Sequence, residues 1–309
     1  MKQKKILIFG GRGFIGQHLI KRLDKHANVK IYPVGNIGKS IKTKKIINKK
    51  ITLIKYNYAE IFNIIKKISP HTILYLSGNP AAENSNEKYL YDYKSSNLPL
   101  VHILESIKNI DNNILFFFSS TIGVYKSGKK PKSEEGGLNP ISYYAISKVI
   151  SEAQCRFYSN KFDLKITILR LASTFGPALS RQLVYDAIKK LDKKNKSYNF
   201  YGSGNETRDL MYIEEMVKAI EILIRKKFIK SDIYNISSGK RYKVSEIIKI
   251  IAKLKGIKFD KIKFNETNNT NLADNWSMNI DKLKKLGFKP NTNIESQIRT
   301  TINYWNQSK

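Results

Sequence analysis

Tyr144 and Lys148 stand four residues apart in Tyr144-Ala145-Ile146-Ser147-Lys148, within a segment of helical spacing. At i and i+4 the two side chains lie one above the other on a single face. An ammonium beside a phenol favours the phenolate and draws tyrosine down from about 10, so the pair can work as a general acid and base near neutral pH. Tyr143 is a weaker candidate, because Ser147 and not a lysine follows it by four. In a chain with 18 tyrosines and 56 lysines and arginines, the spacing alone is weak. Upstream, Phe116-Phe117-Phe118-Ser119-Ser120-Thr121 reads as an apolar strand ending in hydroxyls. Those hydroxyls can bond a substrate oxygen or simply cap the strand.

A third feature lies at the N-terminal end. The apolar run Lys5 to Phe9 leads into Gly10, Gly13 and Gly16, spaced G-x-x-G-x-x-G, and then into the helical pattern Phe14 to Leu23. A buried parallel strand is a short apolar run without alternation. The turn after it needs glycine for a tight bend, for backbone N–H groups to approach a pyrophosphate, and for helix to pack on strand. The helix then aims its positive end at the phosphates. This predicts a dinucleotide-binding turn formed by Gly10, Arg12, Gly13, Phe14, Ile15 and Gly16.

Positioning these groups requires a sheet. Strands are predicted at Val29–Val34, Ile51–Ile54, Thr72–Leu76, Ile114–Phe118 and Ile166–Leu171, with helices at Ile61–Ile68, Tyr89–Asn109 and Ser142–Asn160. Strand and helix in alternation imply right-handed crossovers and a Rossmann-type, doubly wound parallel sheet of the α/β class. Such sheets hold ligands outside the carboxyl ends of their strands, where Thr121 falls. The second half is less regular: helices at Leu183–Leu191, Glu214–Arg225 and Val244–Lys255, and a strand at Asp232–Ile236.

The bulk numbers exclude several alternatives. At 309 residues the chain can bury an ample core. No apolar stretch approaches 18 residues and the start does not read as a signal peptide, so a cytoplasmic protein without membrane insertion is expected. The single cysteine, Cys155, rules out an intramolecular disulfide framework and a cysteine-based structural zinc site, and its helical setting suggests packing; no metal is expected. A net charge of +31 raises nucleic-acid binding, but only nine of the basic residues are arginines and the lysines are scattered without an aromatic stacking platform. No specific nucleic-acid partner is expected.

In this order and spacing the three signals resemble the extended short-chain dehydrogenase/reductases, specifically the NAD-dependent epimerase/dehydratase group acting on nucleotide sugars. Leu76-Ser77-Gly78 is similar to the family's nicotinamide-side segment, and Asn97 matches a recurring asparagine. Arg170-Leu171-Ala172-Ser173-Thr174-Phe175-Gly176-Pro177, Tyr201-Gly202-Ser203-Gly204-Asn205-Glu206-Thr207-Arg208-Asp209-Leu210 and Tyr234-Asn235-Ile236-Ser237-Ser238-Gly239 have counterparts there too. The resemblance implies a catalytic Thr121, an acid/base Tyr144, and a Lys148 that binds ribose and lowers the tyrosine pKa. It adds Ser119 and Asn57 to the cofactor side. Ser173, Arg181 and Arg208 fall to the substrate, whose diphosphate suits an arginine fork. It implies a dinucleotide-binding domain over 1–172 plus about 210–237. A nucleotide-sugar domain of mixed structure would cover about 173–209 and 238–309. A homodimer through paired helices is also implied.

Departures from the family pattern narrow the chemistry. NAD-binding folds usually carry an acid after the second strand, whereas Val34 is followed by Gly35-Asn36 and then by Lys39, Ser40 and Lys42. With Arg12, this leans the NAD(P)(H) site slightly toward NADP(H). Asn57 replaces an aspartate and Ser173 an asparagine. Ile122-Gly123 stands where 4,6-dehydratases carry an acidic pair, and no His or Cys is near Thr121 to support 3,5-epimerisation. Hydride transfer at C4 of a nucleotide-activated hexose remains. Net 4-ketoreduction or 4-dehydrogenation is the first expectation, 4-epimerisation with retained NAD the second, and a catalytically silent NAD(P)-binding scaffold the non-enzymatic alternative.

Overall fold

The computed structural model describes residues 3–36, 54–78, 90, 93–126, 128, 130–226, 231–265 and 277–307. Its strands are β1 (Lys4–Phe9), β2 (Val29–Asn36), β3 (Ile54–Tyr56), β4 (Thr72–Tyr75), β5 (Leu115–Thr121), β6 (Ile166–Leu171), β7 (Ser173–Phe175), β8 (Tyr198–Tyr201), β9 (Thr207–Tyr212), β10 (Asp232–Ile236), β11 (Arg241–Lys243) and β12 (Ile262–Asn265). The α-helices are α1 (Phe14–Leu23), α2 (Ile61–Ile68), α3 (Leu98–Ile110), α4 (Tyr143–Phe162), α5 (Gln182–Leu191), α6 (Ile213–Arg225), α7 (Val244–Leu254), α8 (Asp281–Lys284) and α9 (Ile294–Gln307).

Seven strands form one sheet in the order β3-β2-β1-β4-β5-β6-β10, with every neighbouring pair parallel. This is the 3-2-1-4-5-6 winding with one strand added, and its order reverses beside β1. The residues of β1 show why such a sheet must be covered twice. Ile6 and Ile8 enter a core shared with α1 and α6, while Leu7 and Phe9 enter another shared with α2, α3 and α4. Neither face could meet water at reasonable cost. The helix α2 supplies its share through Ile61, Ile65 and Ile68, one stripe at helical spacing, and ends at Ser69 in the left-handed conformation.

Two small sheets follow. In one, β9 lies between β7, which runs parallel to it, and β11, which runs antiparallel. In the other, β8 pairs with β12 in parallel. A third core, with Val184, Ile188, Phe200, Leu210, Ile247, Ile251 and Ile298, binds them to α5, α7 and α9. The fold is therefore α/β with a Rossmann-like parallel sheet and smaller mixed sheets.

Four predicted elements coincide with the structure: α1, α2, β6 and β10. Others shift. Strand β3 is Ile54–Tyr56 where the sequence predicts Ile51–Ile54, and residues 51–53 lie outside the described set. Regular α3 begins only at Leu98, after a π-turn over Tyr93–Asn97; Tyr89 is outside the described residues. Strand β5 runs past Phe118 to Thr121, because Ser119, Ser120 and Thr121 pair with Leu169, Arg170 and Leu171.

Candidate active site

The glycine turn joins β1 to α1. Gly10 has φ of 84° and is pressed by the chain after β4: a β-carbon there would lie 2.8 Å from the Ser77 nitrogen. At Gly16 a β-carbon would lie 2.3 Å from the Gly10 carbonyl oxygen. Gly13 precedes α1 in extended conformation and no side chain caps the helix. The first-turn N–H groups of α1, at Phe14, Ile15 and Gly16, thus meet a bare bend, a cradle that a diphosphate would suit. Arg12 is exposed at its edge, its carbonyl held by Gln17 Nε2 at 2.8 Å. These residues fit a dinucleotide.

The other strand ends converge on the same edge. Leu76, Ser77 and Gly78 are half-buried after β4. A β-carbon on Gly78 would lie 3.4 Å from both Lys148 Nζ and Ser96 Oγ, which places the lysine head beside this segment. Lys148 is buried, donates to the Ser119 carbonyl oxygen at 2.8 Å, and lies 4.9 Å from the centre of the Phe118 ring and 5.9 Å from that of Tyr144. Tyr144 is half-buried and Tyr143 is exposed. The helix carrying them starts at Ser142, whose hydroxyl oxygen accepts from the Ala145 nitrogen at 3.2 Å.

Thr121 ends β5 and caps the short turn Ile122–Val124, its Oγ1 accepting from the Gly123 nitrogen at 3.2 Å. Accepting that bond leaves the hydroxyl proton available to donate. Ser119 spends its own hydroxyl on the Tyr75 carbonyl at 3.0 Å. Asn57 caps the turn Tyr58–Glu60 reciprocally with Glu60, its Oδ1 accepting at 3.1 Å, so its amide nitrogen is the atom left for a ligand.

The Asn97 side chain is turned to α4. It is fully buried, its Nδ2 donates to the Ser147 carbonyl and Ser151 Oγ, and its Oδ1 accepts from Ser147 Oγ at 2.6 Å. It holds α4 from below. Of the residues expected at the substrate, Ser173 opens β7 opposite Leu210 of β9, two residues from Arg208, and Arg181 immediately precedes α5. All three are half-buried. Cys155 is fully buried, and burial, followed by the charge of Glu152, pushes its thiol up, consistent with a packing role. Among the described residues no His, Cys, Asp and Glu cluster could hold a metal ion, and no helix is long and apolar enough to cross a membrane.

Sequence reading missed a buried polar cluster under this edge. The fully buried carboxylate of Glu152 accepts from Arg170 Nε at 3.0 Å and Nη2 at 2.7 Å, and from Ser120 Oγ at 2.6 Å. Arg170 Nη1 donates to the Tyr125 hydroxyl oxygen at 2.8 Å, and Tyr125 donates to Asn235 Oδ1 at 2.7 Å. Burial pushes the Tyr125 phenol up to about 12 despite Arg170. A signal existed: Glu152 extends the Tyr144, Lys148 series by one more step of four.

Residues 6–237 match the sequence profile described as the NAD dependent epimerase/dehydratase family. The chain belongs to this family. As an extended short-chain dehydrogenase/reductase it is an NAD-dependent enzyme of nucleotide-sugar chemistry. It is 28% identical over 97% of its length to an uncharacterized UDP-glucose epimerase, YtcB, of Bacillus subtilis (strain 168), 97% of which is covered. The UDP-glucose 4-epimerase of Thermotoga maritima, solved with UDP-glucose, superposes with a TM-score of 0.85 at 22% identity, covering 98% of this chain and 99% of that one. The UDP-glucuronic acid 4-epimerase of Bacillus cereus, solved with UDP-glucuronic acid and NAD, gives 0.84 at 23% identity, covering 99% and 100%.

Proposed function

We propose that this family member is a nucleotide-sugar 4-epimerase working with a retained NAD. The observation that carries the reading is the site at the end of β5: Lys148 beside Tyr144, then Thr121 followed by Ile122 and Gly123. Those last two form a buried apolar turn that can neither protonate a leaving hydroxyl nor take a carbon-bound proton. Proton traffic at one hydroxyl is what such a site can manage, and C4 epimerisation needs no more. Net 4-ketoreduction, the first expectation, rested on the missing acid after β2; relatives named as epimerases favour the second reading.

Each residue has a task under this reading. Gly10, Gly13, Gly16 and the start of α1 take the cofactor diphosphate, Asn57 reaches the adenine end, and Leu76, Ser77 and Gly78 line the nicotinamide side. A bound nicotinamide would supply reversible hydride exchange at C4. Tyr144 removes the C4 hydroxyl proton and restores it, Thr121 donates to the same oxygen, and Lys148 binds ribose and stabilises the phenolate. Arg208 and Arg181 hold the sugar diphosphate, with Ser173 beside them. Epimerisation uses Tyr144 and Thr121 twice, on opposite faces of the sugar. The NADP(H) preference rested on Arg12 and on Lys39, Ser40 and Lys42, of which the last three lie outside the described residues. The structures of similar fold named with NAD favour NAD over it.

The division into domains over 1–172 with 210–237, and over 173–209 with 238–309, belongs to the same proposal. So does a homodimer through α3 and α4. Leu98, Val101 and Ile150 are half-buried and available to it, whereas Leu104 is fully buried against the sheet and is not. Purified protein extracted with acid should release NAD, and should interconvert UDP-glucose and its C4 epimer without added cofactor. An empty site and a requirement for added NADPH would point instead to a 4-ketoreductase.

A further inference from the structure

Helix α4 is fastened to β5 at consecutive residues. Lys148 donates to the Ser119 carbonyl oxygen, and one turn further Glu152 accepts from Ser120 Oγ. The next residue of β5 is Thr121. Glu152 is in turn gripped by the two-pronged guanidinium of Arg170 on β6, directly opposite Ser120 in the sheet. Arg170 is itself braced by the Tyr125 hydroxyl and the Glu134 carbonyl oxygen, both at 2.8 Å. Both charges are buried, at 0% and 2% side-chain exposure.

A buried ion pair is a poor way to gain stability, because desolvation offsets most of the attraction, but its directional bonds select one arrangement over near neighbours. An apolar contact would let α4 slide or rotate by a fraction of a turn. A bidentate bond with a third donor on β5 resists both motions. Displacement of about 1 Å between an acid/base group and its target is enough to slow a reaction severely.

We propose that Glu152 and Arg170 are positioning residues that set the rise and rotation of α4, and thereby hold Tyr144 and Lys148 in register with Thr121. This rests on the acid/base reading of Tyr144. The groups facing Glu152 are Arg170 from β6, Ser120 from β5 and Arg156 from its own helix; Tyr125 and the Glu134 carbonyl face Arg170.

Glu152→Gln keeps the shape and removes the charge, while Ser120→Ala removes only the hydroxyl and leaves the ion pair. With UDP-glucose, kcat is expected to fall about tenfold or more in Glu152→Gln and about threefold in Ser120→Ala, with KM and NAD affinity within about twofold of wild type. Glu221→Gln is the stability control. It breaks the pair that Glu221 makes with Arg22 and His26 at the far end of α1, and should lower the melting temperature while leaving kcat unchanged. Unchanged kcat in Ser120→Ala and in folded Glu152→Gln, or an effect on KM alone, would overturn the proposal. A second readout does not depend on turnover: the ultraviolet difference titration of each protein against its Tyr144→Phe counterpart isolates that phenol. Its midpoint should move by about half a unit or more in Glu152→Gln, and an unmoved midpoint overturns the proposal. If wild type fails to epimerise any nucleotide hexose, the functional reading falls while the titration still decides this one.

Discussion

Lys148 reaches from α4 to β5 and donates its ammonium to the carbonyl oxygen of Ser119 at 2.8 Å. That bond fixes a buried positive charge at the strand end, on the side of Tyr144. Tyr144→Phe is therefore expected to lower turnover about a hundredfold or more while leaving NAD affinity nearly unchanged. Lys148→Met should lower turnover and NAD affinity together, because the same ammonium is assigned to the ribose. Steady-state kinetics with a titration of bound NAD separates the two. Near-normal turnover in Tyr144→Phe would end the acid/base assignment.

The glycine turn makes a steric prediction with an internal control. A methyl at position 16 would sit 2.3 Å from the Gly10 oxygen, whereas one at position 13 would sit 3.1 Å from that atom. Gly16→Ala must push helix and turn apart, and Gly13→Ala only crowds them. Gly16→Ala should cost both melting temperature and NAD binding, and Gly13→Ala distinctly less of each. Equal effects in a thermal-shift series with and without NAD would contradict the packing described.

Asp209, beside Arg208, is buried, and burial pushes its carboxyl up to about 6 despite hydrogen bonds from Ser237 Oγ at 2.5 Å and the Met278 nitrogen at 3.0 Å. Its folded value lies above the unfolded one. The stability it contributes is thus complete below pH ~4 and is lost as pH rises through 6, up to about 3 kcal/mol in all. Asp209→Asn can keep both bonds, since its amide oxygen accepts from Met278 and its nitrogen donates to Ser237. Denaturant midpoints should show wild type gaining on the variant between pH 7.5 and about 4.5. Parallel curves would refute this.

Much of this was legible in the sequence where one short stretch carries its own signal. The isoleucine stripe of α2 and the mostly apolar run of β6 needed no partner to be recognised. The glycine turn and the Tyr144, Lys148 spacing were visible for the same reason. The strands of the small sheets were not: β7 and β11 have three residues each, and their pairing with β9 depends on contacts far along the chain. The task of Asn97 was hidden because its partners, Ser147 and Ser151, sit fifty or more positions away. Glu152 reads in sequence as one more helix charge, and only the fold sets Arg170 against it.

Assembly can be tested on the outer face of α4. Phe157 is 57% exposed there, an aromatic that a two-fold partner would cover. Light scattering at micromolar concentration should give twice the 35.6 kDa chain mass. Phe157→Glu should yield monomer with the fold intact. A monomeric wild type would remove the dimer from the proposal.

Reaction type is tested most narrowly by deuterium. Ile122 and Gly123 present no carboxylic acid to a leaving hydroxyl and no carboxylate to the C5 hydrogen. Tyr144, standing with Lys148, is assigned the oxygen-bound proton at C4 alone. In D2O the enzyme should therefore invert UDP-hexose at C4 with no loss of the C3 or C5 proton signals, because the hydride lifted from C4 returns to C4 and never exchanges with water. Proton NMR follows all three positions at once. Inversion at C4 with silent C3 and C5 identifies a 4-epimerase. A 4-keto product that accumulates only with added cofactor identifies net oxidation. Deuterium at C5, or a 4-keto-6-deoxy sugar, would mean that a base other than Tyr144 acts in the site, and would overturn the chemistry assigned to the end of β5.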